Sequence, residues 1–472
     1  MAQRADHRQV AGAGYRVPRA AGAAHGDPPV HQRARSRPRI HHPDPGGPLR
    51  DQRAALAGDH LVRLRGPHGA QGPFSPPPPR QAGRADRADQ QPRTGSGAPA
   101  GRRRLGLGPT LLVLAVVGAR PNYVKTAPVL DGLAELGIER VRVLHTGQHY
   151  DETLSAEFIK RLGMREPDLN LGVGSGSHAT QAGAVMVGVE RELERRRPDV
   201  VLLAGDVNST MAAALAAAKC RVPVVHIESG LRSYDFSMPE EVNRVVTDRV
   251  AELLLCHCDE AVENLAAEGI GGGAVSMVGN TMIDSLLRVR DSVDAEAVLR
   301  SHAFDAEGYC LATLHRPALV DDPGALQGVI GALGEISADL LPVLLPLHPR
   351  TRARMDAAGL APTASLRLTE PLTYPDFVAL ESSARIVITD SGGVQEETSA
   401  LGVRCLTYRP STERPITVSL GTNRLVGRDP EALVAAAAEE LEAGPPGGEV
   451  RIPLWDGVAG PRAAAAIAAR FG

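Results

Sequence analysis

The chain has 472 residues, 43% of them hydrophobic, which exceeds one ordinary domain and is enough for substantial cores. The formal net charge of −3 hides a split, because residues 1–108 hold 19 Arg, 7 Asp and no Lys or Glu, about +12, which leaves about −15 for the rest. Five scattered cysteines in odd number exclude a disulfide scaffold and show no metal-type or redox spacing.

Residues 1–108 combine this basic charge with 15 Pro and no hydrophobic periodicity, a composition that predicts disorder. Three interpretations compete for this segment: a basic tail that binds nucleic acid, a flexible leader, and translated upstream sequence. We favour the third, because Arg, Pro, Ala and Gly without Lys or Glu is what GC-rich codons produce when no fold selects them. The first is weakened by the absence of Lys and of interleaved aromatic residues.

The stretch "GRRRLGLGPTLLVLAVVGA" imitates a secretion signal, with basic residues before an apolar run. The run from Leu111 to Val117 is too short to span a bilayer, and a buried first strand is the better interpretation. No other segment is a candidate membrane span, and the cysteine pattern fits a reducing cytoplasm.

From Leu111 onward, short apolar runs alternate with Ala- and Leu-rich helical stretches. The first set of candidate strands is "LLVLAVV", "RVRVLHT", "DVVLLAGD", "VPVVHIE", "ELLLC" and "AVSMVGN". The second set is "YCLATLH", "PVLLPLHP", "SLRLTEP", "ARIVITDSGG", "VRCLTYR" and "NRLVG". Uninterrupted apolar strands that alternate with helices predict an α/β fold with two doubly wound, Rossmann-like parallel sheets.

The predicted organisation has four parts. After the leader, residues 109–284 form an N-terminal Rossmann-like domain and residues 285–455 a second Rossmann-like domain, followed by a C-terminal helix over 456–472. The break between the domains is expected near residues 283–300, in one polar helix with the sequence "SLLRVRDSVDAEAVLRS".

Polar motifs follow the strand ends in both halves, and ligands of open parallel sheets bind beyond the carboxyl ends of the strands. "TDSGGVQEE" (389–397) reads as a strand end, two glycines and a helix N-terminus that can bind a phosphate. The alternative is a capped structural turn. "GARPNYVK" (118–125) puts Arg120 and Lys125 at the first strand-to-helix turn, where they could clamp a diphosphate, unless they are only surface residues at a helix start.

Acidic residues gather at the strand ends of the first half. Asp206, Glu228 and Glu240 come from this half and His315 from the second. Carboxylates that share a closed cleft raise one another's pKa, which suits them for acid-base catalysis. Each has an ordinary structural explanation, such as a helix cap, but all are predicted to lie on one face. The spacing does not match a metal site, a dinucleotide fingerprint or a Walker lysine motif.

These motifs resemble the non-hydrolysing UDP-N-acetylglucosamine 2-epimerases over about residues 113–435. The resemblance is carried, in order, by "GARPNYVKTAPVL", "TGQHYD", "GDVNST", "HIESGLRS", "MPEEVNR", "GNTMID", "TLHRP", "HPRT", "EPLTYPDF", "TDSGGVQEE", "TERP" and "GTNRLVG". It implies two Rossmann-like domains facing across a cleft as in GT-B glycosyltransferases, no cofactor, and conversion of UDP-GlcNAc to UDP-ManNAc by elimination and re-addition of UDP through 2-acetamidoglucal.

The resemblance also implies roles for individual residues. The positions that match catalytic groups are Asp206, Glu228, Glu240, His315, Lys125 and Arg244. Arg120, Ser391, Gly392 and Gly393 match phosphate contacts, Glu397 the ribose contact, Phe377 the uracil end and Arg414 a further substrate position. The family's second UDP-GlcNAc site, an activating one, would include Gln148 and His149. A cytoplasmic homodimer that binds neither nucleic acid nor membrane is implied as well.

Three departures from better-known members concern "HRPALVDD" (315–322), Tyr150 with Asp151, and "SYDFSMPEE" (233–241) in place of a longer, Trp-containing loop. They bear on the activating site more than on the catalytic one. Three alternatives stay open: a GT-B glycosyltransferase that uses a UDP-sugar, a hydrolysing 2-epimerase, and a nucleotide-sugar sensor that needs no acids.

Overall fold

The computed structural model describes residues 111–147, 165–361, 363, 365–443 and 450–472, so the prediction for residues 1–108 lies outside the described residues. Within the described part, two parallel β-sheets alternate with helices, which confirms the predicted α/β class with two Rossmann-like halves. No helix in this part of the chain has the length and apolarity of a membrane span.

The first half of the described chain forms a seven-stranded parallel sheet. Its strands are β1 (Val113–Val117), β2 (Val141–His145), β3 (Leu169–Asn170), β4 (Val200–Ala204), β5 (Val224–Ile227), β6 (Leu253–Cys256) and β7 (Val275–Met277). They pair in the order β3-β2-β1-β4-β5-β6-β7. The helices that follow these strands are α1 (Arg120–Glu135), α2 (His178–Arg195), α3 (Asn208–Lys219), α4 (Pro239–Val250) and α5 (Asp259–Ala267).

Two further helices, α6 (Thr281–Ser292) and α7 (Ala295–Ser301), lead to the second sheet. Its strands are β8 (Cys310–Thr313), β9 (Val343–Pro346), β10 (Arg367–Thr369), β11 (Ile386–Thr389), β12 (Arg404–Thr407) and β13 (Asn423–Leu425), in the order β10-β9-β8-β11-β12-β13. Its helices are α8 (Pro317–Val320), α9 (Pro323–Asp339), α10 (Pro349–Ala357), α11 (Tyr374–Ser383), α12 (Gly392–Leu401), α13 (Ile416–Ser419) and α14 (Pro430–Glu442), and α15 (Ala459–Phe471) ends the chain.

The twelve predicted strands are all present, and those at the centres of the sheets are buried apolar runs, whereas the edge strands β7, β10 and β13 are partly exposed. Every residue of β1 and β4 is buried, as expected for the centre of a parallel sheet covered by helices. The strand that sequence analysis missed is β3, which has two residues and therefore no readable pattern. In each sheet the strand order reverses beside the first strand, next to β1 and next to β8, and such switch points are where α/β folds bind ligands.

The predicted single polar helix between the halves is two helices. Val293 has extended backbone angles and ends α6, and the Asp294 side chain accepts a hydrogen bond from Ala297 N at 2.9 Å to begin α7. α6 contacts α1 in the first half and α11 and α12 in the second. The boundary at residues 284 and 285 falls inside α6 and stays a prediction.

The C-terminal helix α15 packs on α1 and so belongs with the first half. A Cβ at Gly460 would collide with the carbonyl of Pro128, so the close approach requires glycine. The buried Asp284 of α6 accepts from Ala459 N at 3.1 Å and from Gly460 N at 2.7 Å, which satisfies the first free amides of α15.

Replacing Asp284 by Ala leaves two buried donors unsatisfied, and we expect it to lower the free energy of unfolding by about 1–3 kcal/mol. Urea denaturation measures this change. Asp291→Ala, which removes an exposed carboxylate paired with Arg290, is the control and should change the free energy by less than about 0.5 kcal/mol. Equal effects of both variants would contradict the role of Asp284.

Candidate active site

The turn between β1 and α1 is fixed to the neighbouring strand β4. Asn122 Oδ1 accepts from Gly118 N at 3.1 Å and from Ala119 N at 2.9 Å, while its Nδ2 donates to Ala204 O at 2.7 Å. This anchoring holds the start of α1, and Lys125 lies one turn further along the helix with its side chain buried.

Glu228 follows β5 in a left-handed conformation with φ of 64°, which is uncommon for a residue other than glycine. Its own N–H and that of Ser229 both donate to Leu255 O, and this contact holds the backbone in place. The buried carboxylate pairs with Lys125 through Oε2 and accepts from Arg414 Nη2 at 2.7 Å through Oε1. A strained residue at the end of a central strand, between two cations, is typical of a functional site.

Arg414 comes from the second half and joins the two sheets. Besides Glu228, its guanidinium contacts Glu413 at 2.5 Å and Glu396 at 3.0 Å. Burial disfavours the charge, but these three carboxylates raise the pKa of Arg414 well above its usual value. The buried site therefore contains a permanent cation whose charge is compensated by surrounding carboxylates.

Asp206 and Arg244 form a second pair in the first half. Arg244 Nη1 donates to Asp206 Oδ2 at 3.1 Å, and the arginine is only 1% exposed. Arg244 also contacts the buried Glu241, which lies one turn earlier in α4. Glu240, on the first turn of the same helix, is exposed.

In the second half, the turn after β8 is tied to the turn after β11. Asp390 accepts from the backbone N–H groups of His315 and Arg316 and from His315 Nδ1, which is 3.1 Å away. Despite burial, these contacts keep the pKa of Asp390 below its usual range. The His315 imidazole itself stays 43% exposed, so it is available to a ligand.

Gly392 and Gly393 begin α12, where the first amides of a helix lack intrahelical partners and can bind an anion. The N–H of Ser391, just before the helix, already donates to Thr389 Oγ1 at 2.9 Å. A Cβ at Gly392 would collide with Arg414, which explains the glycine at this position. The close approach of the helix N-terminus to the buried arginine therefore requires a residue without a side chain at position 392.

Glu396 and Glu397 are adjacent in α12 but experience different surroundings. Burial opposes ionisation of Glu396, yet Arg414, His257 and Lys125 lower the pKa of its carboxyl. Burial raises the pKa of Glu397 to about 7, reinforced by Glu396 and opposed by a hydrogen bond from Tyr374 and by Lys125. Successive residues of a helix differ by about 100° in direction, which gives the two carboxyls different neighbours.

His257 connects the halves a second time, through an Nε2 to Glu396 Oε1 distance of 3.2 Å. Its ring packs against Trp455, and Trp455 Nε1 donates to His257 O at 2.9 Å. Burial opposes protonation, but Cys258 and Glu396 raise the pKa of His257 to about 10.

Three groups of residues predicted from the sequence come together: Lys125 with Glu228 and Arg414, Asp206 with Arg244, and His315 with the turn before Ser391. Phe377 is half-buried in α11, where it packs beside the cluster around Leu299. Gln148, His149 and the side chain of Arg120 lie outside the described residues.

Sequence reasoning missed Glu241, His257, Glu396 and Glu413. The doubled acids in "PEE" and "QEE" and the acid before Arg414 were the available signal, but adjacent acids do not reveal which one is buried. No cluster of three or more His, Cys, Asp or Glu that could hold a metal occurs among the residues described.

The chain is similar to known proteins in sequence and in fold. A family model described as UDP-N-acetylglucosamine 2-epimerase matches residues 135–468. The chain is 37% identical over 335 residues to the UDP-N-acetylglucosamine 2-epimerase of Methanococcus maripaludis, covering 69% of this chain and 91% of that protein. It is 38% identical over 331 residues to the UDP-2,3-diacetamido-2,3-dideoxy-D-glucuronate 2-epimerase of Pseudomonas aeruginosa, covering 70% and 92%.

The fold also matches a crystal structure of Methanocaldococcus jannaschii UDP-GlcNAc 2-epimerase in complex with UDP-GlcNAc and UDP. The TM-score is 0.69 at 35% identity, covering 75% of this chain and 98% of that chain. The match therefore spans both sheets and the turns between them that build the site described above.

Because the folded-state pKa of Glu397 is raised to about 7, its contribution to stability is complete below the unfolded value of about 4.3 and is lost as pH rises through 7. Glu397→Gln removes this titration. We expect the stability of the wild type relative to this variant to fall by about 2–3 kcal/mol between pH 5 and pH 8, measured by urea denaturation. Glu439→Gln, which changes an exposed ion-paired acid, should show no such trend. A constant difference across this range would mean that Glu397 is ionised throughout.

Proposed function

Because the chain belongs to the UDP-N-acetylglucosamine 2-epimerase family, we propose that it is an isomerase that interconverts UDP-GlcNAc and UDP-ManNAc. The observation that carries the proposal is the buried contact of Lys125, Glu228 and Arg414 at the carboxyl ends of both sheets. It combines an acid-base group with cations able to stabilise a leaving diphosphate.

The reaction that suits these groups is elimination followed by addition. A base removes the proton from C2 of the sugar while the bond from C1 to the UDP oxygen breaks, which gives 2-acetamidoglucal and UDP. A proton then returns to C2 from the opposite face and the UDP oxygen re-forms the bond to C1. Atoms and electrons balance without an oxidant, so no nicotinamide cofactor is needed.

Asp206, Glu228 and Glu240 are the acid-base groups of this proposal. Glu228 and Asp206 are each held against a cation, Lys125 or Arg244, which keeps their orientation defined. The exposed Glu240, at the start of α4, would complete the set when substrate is bound. His315 is the exposed group that the second half contributes.

The second half would bind the nucleotide. The N-terminal amides of Gly392 and Gly393, with Arg414 beside them, support a diphosphate site. Ser391 and, from α1, Arg120 would contribute further phosphate contacts. Glu397 lies in the same helix and would accept from the ribose hydroxyls, while the half-buried Phe377 would contact the uracil.

The homodimer, the cytoplasmic location and an activating UDP-GlcNAc site at Gln148 and His149 remain part of the proposal. Their support is the family resemblance of the sequence motifs, "TGQHYD" among them. Light scattering of the purified chain tests the first, and a sigmoidal dependence of rate on UDP-GlcNAc concentration tests the third.

The sugar is a separate question, since the relative from Pseudomonas aeruginosa is named for a UDP-2,3-diacetamido sugar acid and is as similar as the one named for UDP-GlcNAc. Both names describe inversion at C2 next to an acetamido group. The C2 chemistry proposed above applies to either substrate, and the substituents at C3 and C5 decide between them.

We expect proton NMR in deuterated water to show UDP-GlcNAc converting to UDP-ManNAc with deuterium at C2, without added cofactor. UDP-2,3-diacetamido-2,3-dideoxyglucuronate, tested in parallel, should react more slowly. Faster reaction of the sugar acid would reassign the substrate, and free ManNAc with UDP would indicate a hydrolysing enzyme. An unlabelled substrate in the presence of tight UDP binding would overturn epimerisation and favour a glycosyltransferase or a sensor.

Asp206→Asn and Glu228→Gln should each lower kcat by about 10²–10⁴-fold, because each removes a proton-transfer group. UDP affinity, measured by calorimetry, should be kept, since the cations remain. Asp131→Asn, which changes a half-exposed acid paired with Arg288, is the control for the charge change. A loss of UDP affinity without a loss of turnover would contradict the assignment.

A further inference from the structure

We propose that Glu241 is a positioning residue, through which the loop of residues 233–237 is linked to the Arg244–Asp206 pair. The inference rests on the proposed function, because Asp206 and Arg244 are assigned there. Glu241 is not proposed to contact the substrate, because it is fully buried, whereas its neighbour Glu240 is exposed.

One side of the Glu241 carboxylate holds the loop. Its Oε2 accepts from Ser233 N at 2.9 Å and from Ser233 Oγ at 3.0 Å, and its Oε1 accepts from Tyr234 N at 2.9 Å. Two consecutive backbone amides on one buried carboxylate fix the loop's path more firmly than a neutral acceptor would, because hydrogen bonds to a charged group are stronger.

The other side of the carboxylate holds Arg244. Arg244 Nε donates to Glu241 Oε2 at 3.1 Å, and Nη2 lies 3.1 Å from the same oxygen. The opposite end of the guanidinium donates through Nη1 to Asp206 Oδ2 at 3.1 Å. Asn243 adds a hydrogen bond to Asp206 O at 2.8 Å, so α4 contacts both the backbone and the side chain of Asp206.

The loop needs such an anchor. Tyr234 has φ of 57°, an unfavourable conformation for a bulky side chain. Its ring and that of Phe236 are 69% and 65% exposed, and the loop's other described contacts include a hydrogen bond from Tyr234 Oη to Asn264 Oδ1 at 2.7 Å. Apolar burial therefore contributes little to holding the loop, and polar contacts, with Glu241 foremost, keep the strained backbone in place.

Since one carboxylate serves both partners, a change in the loop alters the contacts that orient Arg244 and thereby Asp206. The loop follows β5 and leads into α4, at the same edge of the sheet as Glu228. A sugar that contacts the loop would be sensed at Asp206 through two ion-paired contacts rather than through a shift of the backbone.

Glu241→Gln tests this linkage, because it keeps the shape of the side chain and removes its charge. We expect kcat to fall roughly 10- to 100-fold with KM changed by less than about threefold, as for a misplaced catalytic group. Hydrogen–deuterium exchange at Ser233 and Tyr234 should accelerate in the same variant. The matched control is Glu192→Gln, which neutralises a buried glutamate paired with Arg142 at the start of β2, away from the site. Glu192→Gln should change stability without lowering kcat and without accelerating exchange at Ser233 and Tyr234.

A double-mutant cycle separates positioning from simple stabilisation. In an Asp206→Asn background, Glu241→Gln should cost less than about threefold in kcat, because the group that it positions is already lost. An unchanged, multiplicative loss in that background would overturn the proposal, and so would faster exchange in the loop without any loss of kcat.

The exchange measurement requires no turnover. If the wild-type chain fails to epimerise, the proposed function fails, whereas the tie between Glu241 and the loop is still judged by exchange at Ser233 and Tyr234. Should Glu241→Gln fold poorly, Glu241→Asp keeps the charge with a shorter side chain. It should recover stability while the contact to Arg244, and hence kcat, stays reduced. Full recovery of kcat would count against the proposal.

Discussion

The buried charge of Arg414 is the constraint on which the rest of the structure depends. A guanidinium that is taken out of water is tolerated only when carboxylates surround it, and Arg414 has Glu413 beside it in the chain, Glu396 in α12 and Glu228 from the other sheet. Because Glu228 is one of these partners, the ion cluster forms only when the two halves are together. The same requirement explains Gly392, whose missing side chain leaves room for the guanidinium.

This cluster also organises the acids chemically. Glu396 faces the cations and is held ionised, while Glu397, one residue later, is buried with Tyr374 and has a pKa near neutrality. A carboxyl near neutrality can accept from a hydroxyl or donate to it as the ligand requires. Glu228 differs from Glu397 because its carboxylate is held between Lys125 and Arg414 on a strained backbone. Its orientation is therefore set before any ligand binds.

The first half repeats the same principle with Arg244, which is almost fully buried between Asp206 and Glu241. In both places a buried arginine is ion-paired with an acid of the proposed reaction, Glu228 or Asp206, and with at least one further buried acid. The neighbouring acids in "PEE" and "QEE" also differ in their surroundings. Glu240 is exposed and Glu241 is buried, while Glu396 faces the cations and Glu397 accepts a hydrogen bond from Tyr374.

The sequence by itself determined the two parallel sheets and the edge at which the site lies, because buried strands read as continuous apolar runs and polar motifs follow their carboxyl ends. It also predicted that Lys125, Glu228 and Asp206 lie at this edge, and the family resemblance added Arg414. Only the tertiary structure decided which neighbouring acids are buried, that His257 meets Glu396, and that the last helix packs on α1. The physical reason is distance along the chain: Glu228 and Arg414 are 186 residues apart, and the partner of a buried charge depends on how the two halves pack rather than on any local pattern.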